Sequence, residues 1–463
     1  MAEALHDRFE RNVVFSLRVS LDDRQASLAK LLALVEALDG RVSDARLIEH
    51  QPREVLYELT VFVRDDAQMD CIRQAIAETA GAQVRGVTDV AMESHRGGAC
   101  ETRSRAPIRS DTDLRIVYTP GVARVCKAIQ ADPAKAREFT NIANKVAIAT
   151  NGTAILGLGD IGPLAGLPVM EGKAAIFWEF AGVSAEPVLV DTHDPREFIQ
   201  IMERIAVGFG AIQIEDVAAP ECFEITRELD QRLPIPVFHD DQHGTATIVL
   251  AGLYSALNLT GRRIQDIRCA ISGAGAAGTA IADVLLLAGA ADVVLCDRAG
   301  ALYRGRTEHM NPAKQALAQR TNKDNVRGSL ADAMKGRDLF IGVSQPNVVS
   351  QDMVRSMARD PLVFALANPV SEISVAQAYQ AGAAVAADGR MMNNALAYPG
   401  IFRGALDAQA RSITVEMLMA AAQALAGCVP KGQLMPEMMD PRTHQSVAAA
   451  VRSSAGPGGP LVK

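Results

Sequence analysis

The sequence predicts an α/β protein: a Rossmann-type nucleotide-binding domain joined to a second α/β domain, behind a small ferredoxin-like α+β domain. Three observations carry this. A glycine fingerprint, Gly273-Ala-Gly275-Ala-Ala-Gly278, stands between a strand-like and a helix-like run. Short apolar runs alternate with helical stretches up to about residue 410, the pattern of stacked sheet and helix layers. The first 95 residues read β-α-β-β-α-β. A chain of 463 residues is long enough for about three domains, here placed at 1–95, 96–240 and 241–463.

Val13–Leu21 alternates apolar and polar residues with period two, the mark of a half-buried strand. Asp22 and Asp23 then offer a helix N-cap, Leu28, Leu31, Leu32, Val35 and Leu38 follow at helical spacing, and Gly40 supplies the stop. Residues 45–50 and 55–63 read as strands, the second with Val55, Tyr57, Leu59, Val61 and Val63 on one face. A second helix carries Met69, Ile72 and Ile76 on one side, and Val84–Val90 can close the sheet. The polar, basic stretch 94–111 reads as a linker, and the Gly/Pro-rich end from Ser453 as a frayed tail.

Composition narrows the function. Apolar residues make up 49% and charged residues 22%, which argues against global disorder. A net charge of −7 and 4% aromatics speak against nucleic acid and anionic membranes as partners. The N-terminus carries acids and no apolar core of signal-peptide length, and Asp283 and Asp292 interrupt the most apolar stretch, so no membrane span is expected. Seven cysteines stand singly without any CxxC, which suits a reducing, cytoplasmic location and opposes a thiolate zinc site.

GxGxxG occurs twice. The first copy, Gly157 to Gly162, is followed by Pro163, Gly166, Pro168 and Gly172, so no long helix is expected there and it reads as a substrate-side loop. The second follows the strand Arg268–Ser272 and opens a helix with Ile281, Val284, Leu285 and Ala288 on one face and Gly289 at its end. In this turn Gly273, Ala274, Gly275, Ala276, Ala277 and Gly278 can cradle a pyrophosphate. The strand Asp292–Cys296 then delivers Asp297, placed to accept both ribose hydroxyls of an adenosine. Asp297 repels a 2′-phosphate and favours NAD, while Arg298 beside it leaves NADP open. Further strands at 338–344 and 361–368 extend the sheet.

Two apolar runs end in paired acids: Ala211–Ile214 in Glu215 and Asp216, and Val237–Phe238, after His239, in Asp240 and Asp241. Strand ends of this kind line the ligand crevice of open α/β sheets. Alone, each pair would be a solvated turn; together they offer hard oxygen ligands suited to Mg²⁺ or Mn²⁺. Zinc is the rival, because His239 and His243 stand four residues apart, but HDDQH lacks the glutamate of H-E-x-x-H.

With these segments in view, residues 95–450 resemble the malic enzyme family. The likeness rests on YTPGVARVC (118–126), GTAILGLGDIG (152–162), EGKAAIF (171–177), IEDVAAPECFEI (214–225), VFHDDQHGTA (237–246), the second fingerprint and NNALAYPGIFRGAL (393–406). The N-terminal unit resembles an ACT domain, although Asp23-Arg24-Gln25-Ala26-Ser27-Leu28 lacks the usual Pro and Gly at the strand-to-helix turn. It is expected either to bind a small effector or to serve dimerisation alone.

The resemblance implies oxidative decarboxylation of (S)-malate to pyruvate and CO₂. Lys173 would be general base at the C2 hydroxyl, with Asp240 orienting it, and Tyr118 the general acid at C3. Glu215, Asp216 and Asp241 would hold Mg²⁺ or Mn²⁺. Asn368 and Asn394 would hydrogen-bond the substrate carboxylate and the nicotinamide amide. A base at Lys173 requires its pKa to be lowered by burial or a nearby cation. Ala154-Ile155 stands where longer relatives place an arginine for the malate carboxylate. A homo-oligomer, dimer or tetramer, is implied. Malolactic conversion to lactate and a catalytically silent effector-binding protein stay open as alternatives.

Overall fold

The computed structural model describes residues 13–22, 24–155, 157–368 and 370–456. The chain forms two compact units, the first ending at Glu101 and the second beginning at Thr102.

In the first unit, strands β1 (Val13–Asp22), β2 (Arg41–His50), β3 (Glu54–Val63) and β4 (Ala82–Asp89) form one antiparallel sheet in the order β2-β3-β1-β4. Helices Leu28–Ala37 and Asp66–Ala77 cover one face. The period-two reading explains the packing: Leu17, Val19, Leu59, Val61 and Val63 meet Leu31, Val35, Met69, Ile72 and Ile76 in one core. Both ends of the first helix differ from expectation. Its N-cap is Ser27, whose hydroxyl accepts from the Lys30 N–H, because Asp22 already serves the N–H of Arg24 in the turn before it; Asp23 lies outside the described residues. Its stop is Asp39, in the left-handed region at φ 61°. Gly40 acts by size instead, since a Cβ there would stand 2.8 Å from Ile72 and Val35.

The second unit holds two parallel sheets. Strands β5 (Lys145–Thr150), β6 (Ser184–Leu189), β7 (Ala211–Ile214) and β8 (Val237–His239) run in the order β6-β5-β7-β8. Strands β9 (Arg268–Ser272), β10 (Asp292–Asp297), β11 (Gly300–Ala301), β12 (Leu339–Gly342), β13 (Leu362–Ala365) and β14 (Val385–Asp388) run in the order β11-β10-β9-β12-β13-β14. All pairs are parallel except β10 with β11. These are apolar strands with helices against them, as a parallel sheet buried on both faces requires. The almost wholly buried helix Thr245–Thr260 belongs to a core that reaches both sheets. The last expected segment, the frayed tail, falls mostly outside the described residues.

The expectation of no long helix after the first GxGxxG is wrong. A 19-residue helix, Pro163–Ala181, starts there. Pro163 sits at its first position, where the N–H has no helical partner to lose. Pro168 removes the bond to the carbonyl of Leu164 and crowds that carbonyl, near the start of the helix where Leu164 is exposed. Burial of Met170, Ala174 and Phe177 repays that loss.

Candidate active site

The acids leave one sheet edge together. Strands β7 and β8 are neighbours, with Ile212, Gln213 and Ile214 opposite Val237, Phe238 and His239. Glu215–Asp216 and Asp240–Asp241 therefore emerge side by side, and Glu215, Asp216 and Asp240 are buried. Asp216 adopts the left-handed backbone region at φ 49°, uncommon for a side chain of any kind and typical of places where the surroundings dictate the turn. The loop 152–162 leans on this turn: the Ala154 N–H donates to the Asp216 carbonyl (3.0 Å), and the Ala218 N–H to Thr153 Oγ1 (2.9 Å).

Lys173 enters from the helix Pro163–Ala181. Its Nζ donates to Asp240 Oδ2 (2.6 Å) and to Glu215 Oε1, and its side chain is only 11% exposed. Gln213 Nε2 holds the other Glu215 oxygen at 2.7 Å. The ammonium also lies 4.8 Å from the ring centre of Tyr398. Tyr398 is buried, its hydroxyl has no hydrogen-bond partner, and burial pushes its pKa well above the usual phenol range. Sequence reasoning gave Tyr398 no role; inside an apolar run of a helix start, nothing but its hydroxyl sets it apart from core.

The electrostatics of the cluster are unbalanced. Burial alone would lower the Lys173 pKa, but the charges of Asp240 and Glu215 outweigh it and hold the amine well above its ordinary value. The lowered pKa that a base requires is thus not present in the unliganded protein. Burial drives Glu215 well above the carboxylate range against the pull of Lys173, with Asp240, Asp216 and Asp241 adding repulsion. Burial and the charge of Asp241 push Asp216 up to about 7. Four carboxylates share one ammonium, and Asp216 Oδ2 and Asp240 Oδ1 are buried without hydrogen-bond partners. Hard oxygen donors carrying excess negative charge fit a divalent cation. Among the described residues, however, no three such ligands already stand in a coordinating arrangement.

The histidines do not form a zinc pair. His239 ends β8, and residues Asp240–Gly244 form a single π-helical turn. His243 Nδ1 is spent on the His239 N–H (3.1 Å), and burial pushes its imidazole down to about 3.

The remaining expected residues divide. Asn394 Nδ2 donates to Thr245 Oγ1 (3.1 Å), at the turn that carries Asp240. Asn368 is exposed beyond the end of β13. Tyr118 ends the helix Asp111–Val117 and is 66% exposed, and its phenol makes no contact with the Lys173 cluster among the described residues. The reason is local: no residue from 102 to 145 is buried, so this segment lacks the packing that would fix Tyr118 against the body.

At the second sheet the glycine turn has the expected form. Gly273 takes φ 114°, and a Cβ there would meet the Val343 carbonyl oxygen at 2.5 Å. At Gly278 a Cβ would lie 1.8 Å from the Gly273 carbonyl oxygen, whereas Gly275 faces open space. The helix Ala276–Leu287 starts here with no side-chain cap. Asp297 ends β10, but its carboxylate is already engaged by Arg306 Nη2 and Lys314 Nζ, each at 2.7 Å, and by the Ala299 N–H. These partners hold its pKa below the usual range despite its partial burial.

A mainly parallel six-stranded sheet with a glycine turn opening the helix after its first strand defines a dinucleotide-binding α/β protein. Residues 98–196 match the family model for the malic enzyme N-terminal domain, and residues 242–392 and 384–455 match that for the malic enzyme NAD binding domain. The chain belongs to the malic enzyme family. It is 44% identical to an NAD-dependent malic enzyme of Geobacillus stearothermophilus, over 95% of this chain and 94% of that one. It is 46% identical to a bifunctional malic/malolactic enzyme of Bacillus subtilis, over 77% of this chain and 90% of the relative. Among solved structures, an NAD-dependent malic enzyme from Thermotoga maritima aligns with a TM-score of 0.76 at 40% identity, covering 79% of this chain and 99% of that one.

Proposed function

We propose that the chain catalyses oxidative decarboxylation of (S)-malate to pyruvate and CO₂, with reduction of NAD(P) and a requirement for Mg²⁺ or Mn²⁺. The observation that carries this reading is the Lys173 amine, buried between Asp240 and Glu215 at the exits of β7 and β8. Lys173 takes the C2 hydroxyl proton as hydride leaves C2 for the nicotinamide. The C3–C4 bond then breaks, CO₂ departs, and its electron pair stays on C3 as an enolate. Tyr118 returns a proton to C3. Asn394 and Asn368 orient the substrate carboxylate and the nicotinamide amide.

Glu215, Asp216 and Asp241 would hold the metal ion. When bound, the ion supplies Lewis-acid stabilisation of the oxyanion charge that develops at C2. Neutralising Glu215 would remove one of the two charges that hold the Lys173 amine protonated, leaving Asp240 to orient it while burial favours the neutral base. Metal binding can be read without turnover. The Asp216 pKa is raised on folding, so its contribution is present at low pH and lost as pH rises from its ordinary 3.8 through about 7. Metal-free protein is therefore expected to lose thermal stability across that interval. Mn²⁺ should restore it, and Asp216→Asn should make the profile shallower, Glu215 retaining a loss of the same sign. A metal-free profile identical in wild type and variant, with no shift on adding Mn²⁺, removes Asp216 from the ligand set.

The dinucleotide preference is read from Asp297. Its place favours the ribose hydroxyls of NAD, while Arg306 and Lys314 offset its charge and reduce repulsion of a 2′-phosphate. NAD is the expected cofactor, with NADP accepted. The first unit has the strand order of a ferredoxin-like fold, which supports an ACT-like regulatory or dimerisation role. Oligomerisation is supported by the exposed apolar side chains of Leu114, Ile116, Val117 and Phe139 on the unburied segment that carries Tyr118. Among the described residues no helix is long and apolar enough to cross a membrane; a cytoplasmic location is supported by cysteines that stand singly without any CxxC.

The test is spectrophotometric: purified protein with malate, Mn²⁺ and NAD or NADP should form reduced nicotinamide, and EDTA should stop it. The bifunctional Bacillus subtilis relative keeps a second reading alive. Lactate as product, with no net reduced nicotinamide, would establish malolactic chemistry instead; neither product would leave an effector-binding protein.

A further inference from the structure

Strand β10 lies on one side of β9 and β12 on the other, so the switch in strand order, where open α/β sheets bind ligands, falls between β9 and β12. The loops that leave β12 and β13 form one wall of this crevice. Beneath them lies Glu372, fully buried and without an ion-pair partner among the described residues. Its Oε1 accepts from the Ser344 N–H (2.8 Å), and its Oε2 from the Ala367 N–H (3.1 Å). Ser344 Oγ lies 2.8 Å from Ser272 Oγ, and Ser272 immediately precedes the Gly273 turn. Backbone bonds from Asn347 to Ser371 and from Val349 to Glu372 tie the same two loops (3.1 Å each). Gly342 completes the arrangement, since a Cβ there would stand 2.3 Å from the Glu372 carboxyl carbon.

A buried carboxylate without a cation is costly and persists only where its hydrogen bonds compensate. Each of its two oxygens takes one N–H, and the two N–H groups come from different loops, a division that an amide in the same place cannot repeat because one of its ends is a donor. One of those groups belongs to Ala367, the residue before Asn368. We infer that Glu372 is a positioning residue, clamping the exits of β12 and β13 so that Asn368 faces the nicotinamide and the Ser272–Gly273 turn faces the pyrophosphate of the dinucleotide. The inference rests on the proposed roles of Asn368 and of the glycine turn. The amide of Glu372→Gln keeps the size of the side chain but points a donor at one of the two N–H groups, which frees one loop.

The test uses the full-length protein, with wild type, Glu372→Gln, Glu372→Asp and Asn368→Ala compared. NADH and NADPH binding is followed by fluorescence titration, malate kinetics by absorbance, and Tm by thermal unfolding. Glu372→Gln is expected to raise the dinucleotide Kd and to lower kcat, each about tenfold per folded molecule. Glu372→Asp, which keeps both acceptor oxygens, should fall between it and wild type. Unchanged Kd and kcat in Glu372→Gln, whatever happens to Tm, would overturn the inference and reduce Glu372 to a structural residue. Should wild type bind NADH without oxidising malate, the proposed reaction falls, yet a weakened Kd in Glu372→Gln would still support the clamp.

Discussion

Lys173→Ala is expected to lower kcat for malate oxidation by about 10²- to 10⁴-fold, the range typical of a lost general base. The substitution also leaves Glu215 and Asp240 buried without their shared cation, and breaking a buried pair of this kind costs about 3–5 kcal/mol. Loss of folded protein and loss of the base must therefore be separated. Because removing the ammonium favours the protonated acids, the variant should be most stable at low pH and lose stability as pH rises. Added Mn²⁺ should recover much of that loss by supplying a cation to the same carboxylates. Under those conditions kcat per folded molecule reports the base alone. A small primary amine in the buffer should then restore part of the activity, since it can enter the space left by the side chain. Full activity in the variant, or none regained with any amine, would assign proton removal to another group.

The charge state of Lys173 also marks how far the sequence could be read. Period-two alternation shows which face of β1 and β3 is buried, because strand geometry translates spacing directly into sidedness. The acid pairs are legible as strand-end groups for the same reason: Ile214 and His239 are where two apolar runs stop. What spacing does not carry is distance between separate segments. That Lys173 lies between Asp240 and Glu215, and over Tyr398, depends on how the helix Pro163–Ala181 seats against the sheet. The helix itself was hidden by local rules. Two prolines and two glycines argue against helix, but one proline is harmless at its position and burial of Met170, Ala174 and Phe177 decides the rest. Tyr118 shows the opposite limit. Its motif identifies a role, whereas the structure leaves it exposed on a segment with no buried residue, so its approach to the substrate needs cover from elsewhere.

The three glycines of the dinucleotide turn permit a sharper test than their pattern alone, because they do different work. A methyl group at Gly278 would sit 1.8 Å from the Gly273 carbonyl oxygen, backbone that cannot swing aside. Gly278→Ala must displace either the helix Ala276–Leu287 or the turn, and a shift near 1 Å in a positioning element can cost about 100-fold in turnover. It should lower Tm and dinucleotide affinity together. Gly275→Ala meets no protein atom within 4 Å, so its Tm should stay near that of wild type. Its methyl group nevertheless occupies the approach to the uncapped first turn of the helix, where free N–H groups and the helix dipole favour a pyrophosphate. Affinity for NADH should fall by a comparable factor in both variants while stability falls in only one. If Gly275→Ala bound NADH as tightly as wild type, the pyrophosphate would have to lie elsewhere, and the glycines would be features of packing alone.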